Sequence, residues 1–204
     1  MIQALILILA YFIGSIPVGY LFVRLIRGED LRKLGSGSTG ATNVSRILGM
    51  KFFVIVSILD VLKGILAVWL ASILMPDIFR DWFIVSAGLM AIFGHVYPVW
   101  LKFKGGKGVN TTLGVALFIS PTALAIAIVV FIIVLVIGRY ISAASLLAGI
   151  GFAIAVSVLQ FKMGNPNIPY ISFSIFVPLM FITTHRQNIM RLFRREEIPY
   201  GQKK

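Results

Sequence analysis

Apolar residues run along this chain in long blocks separated by short polar stretches. The blocks cover residues 1–26, 52–74, 83–101, 112–137, 140–159 and 168–184. A helix needs about 20 apolar residues to cross a bilayer. Each block is near enough to that length to span, with tilt absorbing the difference. The pattern predicts an all-α integral membrane protein, folded as one domain over residues 1–204, since no polar linker divides the blocks.

Charge sets the expected topology. Basic residues favour the cytoplasmic side of a membrane. Arg27, Arg32, Lys33, Arg46 and Lys51 lie between the first two blocks, and Lys102, Lys104 and Lys107 follow the third. The loop 75–82 has Asp77 and Asp81 against Arg80, which suits the outside. No basic residue precedes the first block, so it reads as a retained helix with its N-terminus outside rather than a cleaved leader. Six spans would then leave outside a tail that carries Arg186, Arg191, Arg194, Arg195, Lys203 and Lys204. The Ser120-Pro121 break resolves the conflict, because proline interrupts a helix. If 112–119 and 122–137 are separate crossings, the total is seven and the C-terminus is cytoplasmic. Six spans with a re-entrant segment is the alternative.

Composition narrows the function. Hydrophobic residues make up 59% and charged residues 13%, against about 45–50% and about 25% in soluble domains. The net charge is +12. Nucleic acid is the usual partner of so basic a chain, but positive cytoplasmic loops account for most of the excess, and no nucleic acid is expected. There is no cysteine, which excludes disulfides and thiolate chemistry. His95 and His185 are the only histidines, so a multi-histidine metal site is not expected.

Two polar segments are built to hold an anion. The first contains Ser36, Gly37, Ser38, Thr39, Gly40, Ala41, Thr42 and Asn43, with Arg46 one turn later. Glycines free the backbone to turn its amides toward a ligand, hydroxyls add donors, and a following helix adds partial positive charge. The second runs from Gly94 and His95 to Lys104, Gly105, Gly106, Lys107 and Gly108. Backbone amides, two ammonium groups and a helix start there suit a phosphate or phosphate monoester. It is not a nucleotide-binding P-loop, because Leu101 and Gly108 replace the required Gly and Ser/Thr.

Two further groups stand out. Asp60 and Lys63 lie at i, i+3 inside the second block, an intramembrane pair that is either structural or substrate-facing. His185 and Asn188 share a helix face at the end of the last block.

Together, the stretches 35–43, 94–108 and 185–192 resemble the bacterial acyl-phosphate:glycerol-3-phosphate acyltransferases. The match covers most of the chain, and the middle motif is highly specific. The sequence departs from that family at Ser38, where asparagine is usual, and at Arg195-Glu196-Glu197, where Gly-Thr-Glu is usual; the second difference weakens a role for Glu197. The resemblance implies transfer of a fatty acyl group from acyl phosphate to the 1-hydroxyl of glycerol 3-phosphate, giving lysophosphatidic acid and phosphate for phospholipid synthesis. It also implies no metal or cofactor, seven spans in the bacterial inner membrane, a site facing the cytoplasm, and a link to the peripheral enzyme that makes acyl phosphate. The other glycerolipid acyltransferases use a His-x4-Asp pair, which is absent because Trp100 and Met190 stand where the Asp would be.

The expected roles follow from these motifs. Ser36, His95, His185 and Asn188 are the catalytic candidates. Ser36, Gly37, Thr39, Gly40, Thr42, Asn43, Arg46, Lys104, Gly105, Gly106, Lys107 and Gly108 are the phosphate-binding candidates. His95, His185 or a substrate phosphate oxygen would act as base. A transporter of phosphate or an organic phosphate is the alternative from another class, since broken helices and intramembrane ions occur there too.

Overall fold

The computed structural model describes residues 2–74 and 77–201. It is all-helical among the described residues, and its helices divide into two compact units, 1–118 and 119–204. In the first unit, α1 (Ile2–Ser15) and α2 (Val18–Arg27) are followed by α3 (Ala41–Leu48), α4 (Met50–Leu74), α5 (Arg80–Val96) and α6 (Val109–Ile119), the last reaching the unit boundary. The second unit holds α7 (Pro121–Gly138), α8 (Ile141–Lys162), α9 (Ile168–Thr184) and α10 (Arg186–Phe193).

Among the described residues, five helical stretches are long and apolar enough to cross a membrane: Ile2–Arg27, Met50–Leu74, Arg80–Leu101, Pro121–Gly138 and Ile141–Lys162. The pair α9 and α10, bent by 63°, makes a sixth if it counts as one span. Exposed Leu, Ile, Val and Phe cover these helices, as lipid-facing surfaces require.

The sequence blocks and the helices differ in two informative places. The first block is interrupted at residues 16–17, because Pro17 has no N–H and its ring crowds the preceding turn. The fourth block breaks at Ser120, whose side chain accepts from the Ala123 amide and caps α7 ahead of Pro121 at its first position. The resulting α6 is a short apolar helix of 11 residues.

In the first unit, α1 packs on α5 and α4, and α4 packs on α5 and α3. Glycine makes the closest crossings possible. A Cβ at Gly14 would overlap the Ala91 carbonyl, and one at Gly94 would overlap the Tyr11 carbonyl, so α1 and α5 meet backbone to backbone. The α4–α6 crossing is similar, with Gly64 against Thr111 and Gly114 against Val61. A separate apolar cluster of Val23, Leu31, Ala41, Val44 and Val56 ties α2, the 3-10 turn Leu31–Lys33, α3 and the start of α4 together. This cluster is the floor beneath the first glycine-rich segment. In the second unit, α8 packs between α7 and α9.

Candidate functional site

The first glycine-rich segment folds into a tight turn held from inside by one residue. Asn43, on the first turn of α3, is 1% exposed. Its Oδ1 accepts from the Ser36 amide at 2.8 Å, and its Nδ2 donates to the Leu34 and Ser38 carbonyls at 2.9 Å each. The amide thus meets both edges of the turn and fixes its shape. Gly35 and Gly37 have φ of +55° and +75°, values that favour glycine. Gly40 is the N-cap of α3 and supplies no capping side chain; the Asn43 amide donates to the Gly40 carbonyl at 3.0 Å, which leaves the Ala41 and Thr42 amides for a ligand. Thr39 is buried, while Ser36, Gly37, Gly40 and Thr42 are partly exposed. The stem of Arg46 lies 3.8 Å from the Gly35 Cβ position, and the residue is exposed.

The second segment is clamped onto the C-terminus of α5. The Gly105 and Gly106 amides donate to the Val96 and His95 carbonyls, each at 3.1 Å. These are helix-terminal carbonyls that would otherwise lack partners. Lys102 and Phe103 adopt left-handed φ of 53° and 61°, reversing the chain before Lys104. Gly108 follows with φ of +83°, and its carbonyl accepts from the Thr112 amide at 2.8 Å to open α6. Lys104 is exposed, Lys107 is half-buried, and Gly108 is buried.

The two segments are joined. The Thr39 amide donates to the Gly105 carbonyl at 3.5 Å. Arg32 forms a second tie: its Nη1 donates to the Leu101 carbonyl at 3.0 Å while its other nitrogens grip Asp30. The Arg32 guanidinium also lies over the Tyr20 ring, 5.5 Å from the centroid. Arg46 and Lys104 form no ion pair among the described residues. One of these cations, Lys104, stands on the second turn, and the other, Arg46, reaches the first turn from α3. An anion with several oxygens meets that need.

The hydrogen bond from Arg32 holds the Asp30 carboxyl down at about 2, from an ordinary 3.8. A lowered carboxyl adds stability above its unfolded value and loses it as pH falls through the folded one. The unfolding midpoint of Asp30→Asn in detergent should therefore lie below wild type at neutral pH, by about 1 kcal/mol or less. The gap should close between pH 3.8 and about 2, and a pH-independent gap would contradict the pairing.

Behind the second segment, the buried Asp60 and Lys63 pair at 2.7 Å. His95 Nδ1 lies 3.5 Å from the same Asp60 oxygen. Beside the segments, Ile16, Pro17, Tyr20, Leu21, Trp100 and Leu101 line an open apolar hollow.

In the second unit, His185 sits at the junction of α9 and α10 and is 2% exposed. Its Nδ1 lies 2.9 Å from the Phe181 carbonyl. A carbonyl only accepts, so Nδ1 carries hydrogen and Nε2 is the nitrogen that can take a proton in the neutral ring. Asn188 donates to Glu197 Oε1, and Arg191 donates to Glu197 Oε2 at 2.8 Å. Glu197 therefore holds Asn188 from the tail, a part the sequence did not reveal. The Tyr200 amide donates to the Arg139 carbonyl, which ties that tail to the α7–α8 turn.

Known proteins match this chain along almost its whole length. The family described as Glycerol-3-phosphate acyltransferase matches residues 4–195. A glycerol-3-phosphate acyltransferase of Myxococcus xanthus is 45% identical over 197 residues, covering 97% of this chain and 98% of the relative. One of Prochlorococcus marinus is 42% identical over 198 residues, with the same coverage. The crystal structure of PlsY, an integral membrane glycerol 3-phosphate acyltransferase, in its glycerol 3-phosphate form superposes with a TM-score of 0.87 at 37% identity. It covers 98% of this chain and 96% of that one. The lysophosphatidic acid form gives a TM-score of 0.83 at 35% identity, with the same coverage. A multi-pass helical fold, two joined glycine-rich turns and matches of this extent converge on one conclusion: the chain belongs to the glycerol-3-phosphate acyltransferase family of bacterial integral membrane enzymes.

Proposed function

We propose that this enzyme transfers a fatty acyl group from acyl phosphate to the 1-hydroxyl of glycerol 3-phosphate. The observation that carries the reading is the junction of the two segments, with Thr39 bonded to Gly105, the unpaired Lys104 on one turn and the unpaired Arg46 beside the other on α3. Donor and acceptor each bring a phosphate, and crowding two anions demands cationic compensation. Ser36, Thr42, the α3 amides, Arg46, Lys104 and Lys107 supply it.

The chemistry suits a site without a strong nucleophile. The glycerol hydroxyl oxygen attacks the carbonyl carbon of the mixed anhydride. The bond from that carbon to the phosphate oxygen breaks, and inorganic phosphate leaves. The hydroxyl proton passes to an imidazole or to a phosphate oxygen of the substrate. Phosphate is already a good leaving group, so orientation supplies most of the rate. The apolar hollow by Trp100 and Leu101 accommodates the start of the acyl chain, beside the lysine-bearing turn. The motif resemblance gives His185 and Asn188 the task of positioning the acceptor. The basic loops support a cytoplasmic site in the inner membrane, an N-terminus outside and seven spans. Acyl phosphate would come from a peripheral enzyme.

Purified protein given glycerol 3-phosphate should form lysophosphatidic acid with hexadecanoyl phosphate and none with hexadecanoyl-CoA. Activity with the thioester alone would overturn the donor assignment. Uptake of glycerol 3-phosphate into proteoliposomes without any acyl donor would instead indicate a transporter. In the same assay, Glu197→Ala should lower kcat/KM about tenfold or more, since a hydrogen bond to a charged group is worth about 1.5–3 kcal/mol. Glu197→Gln, which keeps an acceptor for Asn188, should recover most of that loss.

A further inference from the structure

The buried pair in α4 reaches the second segment through a single side chain. Asp60 and Lys63 are 2% and 6% exposed, too enclosed to meet a ligand directly. The Lys63 ammonium donates to the Ile16 carbonyl at 3.3 Å, at the interruption between α1 and α2. Asp60 Oδ1 faces both that ammonium and His95 Nδ1. The far edge of the same imidazole abuts the lysine-bearing turn: a Cβ on Gly106 would overlap His95 Nε2. The His95 carbonyl also accepts the Gly106 amide. One turn before Asp60, Ser57 receives a hydrogen bond from Asn110 in the first turn of α6, at 3.1 Å. Both flanks of the turn 104–108 are therefore anchored to one polar stripe of α4.

Stability alone does not explain such a stripe. Apolar residues of similar volume often replace a buried ion pair at no cost to stability, and charge inside a span is expensive. A carboxylate beside Nδ1 has a geometric effect, because it keeps hydrogen on that nitrogen and fixes the ring plane. The ring then forms a rigid back wall for Gly106.

We propose that Asp60 and Lys63 are positioning residues that act through His95 to set the backbone of the turn 104–108. Lys63 balances the carboxylate and ties it to the end of α1, Asp60 orients the imidazole, and the imidazole seats Gly106. The assignment rests on reading that turn as a phosphate site.

The test uses two variants of the full-length enzyme. Asp60→Asn/Lys63→Met removes both charges together, so neither is left buried alone. His95→Asn keeps a donor toward Asp60 but removes the ring edge behind Gly106. Each should unfold within a few degrees of wild type. Amide hydrogen exchange at residues 105–106 should accelerate about tenfold or more. KM for glycerol 3-phosphate should rise about tenfold with kcat within roughly threefold of wild type. Unchanged exchange and unchanged KM at equal thermal stability would overturn the proposal and leave a structural pair. A fall in kcat with KM and exchange unchanged would also overturn it, placing His95 in the chemical step. If the double variant does not fold, His95→Asn decides, because it leaves the ion pair intact. If wild type forms no lysophosphatidic acid, the functional reading fails, while the exchange measurement still judges the network.

Discussion

Lys104→Ala should leave the protein folded and lower kcat/KM for lysophosphatidic acid formation by about 100-fold or more. The side chain is exposed and forms no ion pair among the described residues, so the fold gains little from its charge. On the proposed reading, its value lies in the substrate phosphate it would meet. A charge-assisted hydrogen bond is worth about 1.5–3 kcal/mol, and each 1.4 kcal/mol is tenfold. Strengthening of the contact as phosphate leaves adds to that. Lys104→Arg should keep part of the activity, because the charge remains while the shape changes. Wild-type kinetics from a folded Lys104→Ala preparation would remove Lys104 from the site.

The second large effect belongs to a residue without a side chain. A Cβ at Gly105 would overlap the His95 carbonyl and the Pro98 ring, and would lie 2.8 Å from the Val96 carbonyl. Two of these neighbours are backbone at the end of a packed helix, so the turn itself must move. Lifting it strains the Gly105 bond to Val96 and the Thr39 bond to Gly105. Overpacking of this kind costs about 1–3 kcal/mol. Gly105→Ala should raise KM for glycerol 3-phosphate about tenfold or more while helix content by circular dichroism stays unchanged. Gly138→Ala is the matched control, since a Cβ there meets nothing within 4 Å. It should behave as wild type.

Hydropathy made the helical frame readable, because lipid-facing helices carry their signal in unbroken apolar runs. The last block, 168–184, coincides with α9, and the Ser120-Pro121 interruption is visible in the chain as written. Pro17 was equally visible but sits inside a run too apolar to look broken. The glycine-rich motifs suggested phosphate chemistry because few other arrangements present so many donors at once.

Residues that act across distance in sequence were not legible. The 34 positions between Asp60 and His95 hide their contact, which only the packing of α4 against α5 creates. Asn43 reads as one more polar member of a nest, yet its amide is consumed in shaping the turn. Arg32 reads as an ordinary basic loop residue, and its bond to the Leu101 carbonyl carries no local pattern. The unusual residues before Glu197 weakened its expected role in the sequence, yet its partners Asn188 and Arg191 on α10 are in place.

Calorimetric titration of glycerol 3-phosphate into the detergent-solubilised protein, without any acyl donor, tests the proposed phosphate site most directly. Wild type should bind glycerol 3-phosphate saturably and glycerol not at all, and Arg46→Ala/Lys104→Ala should lose the binding while remaining folded. Undiminished binding in that double variant would contradict the account.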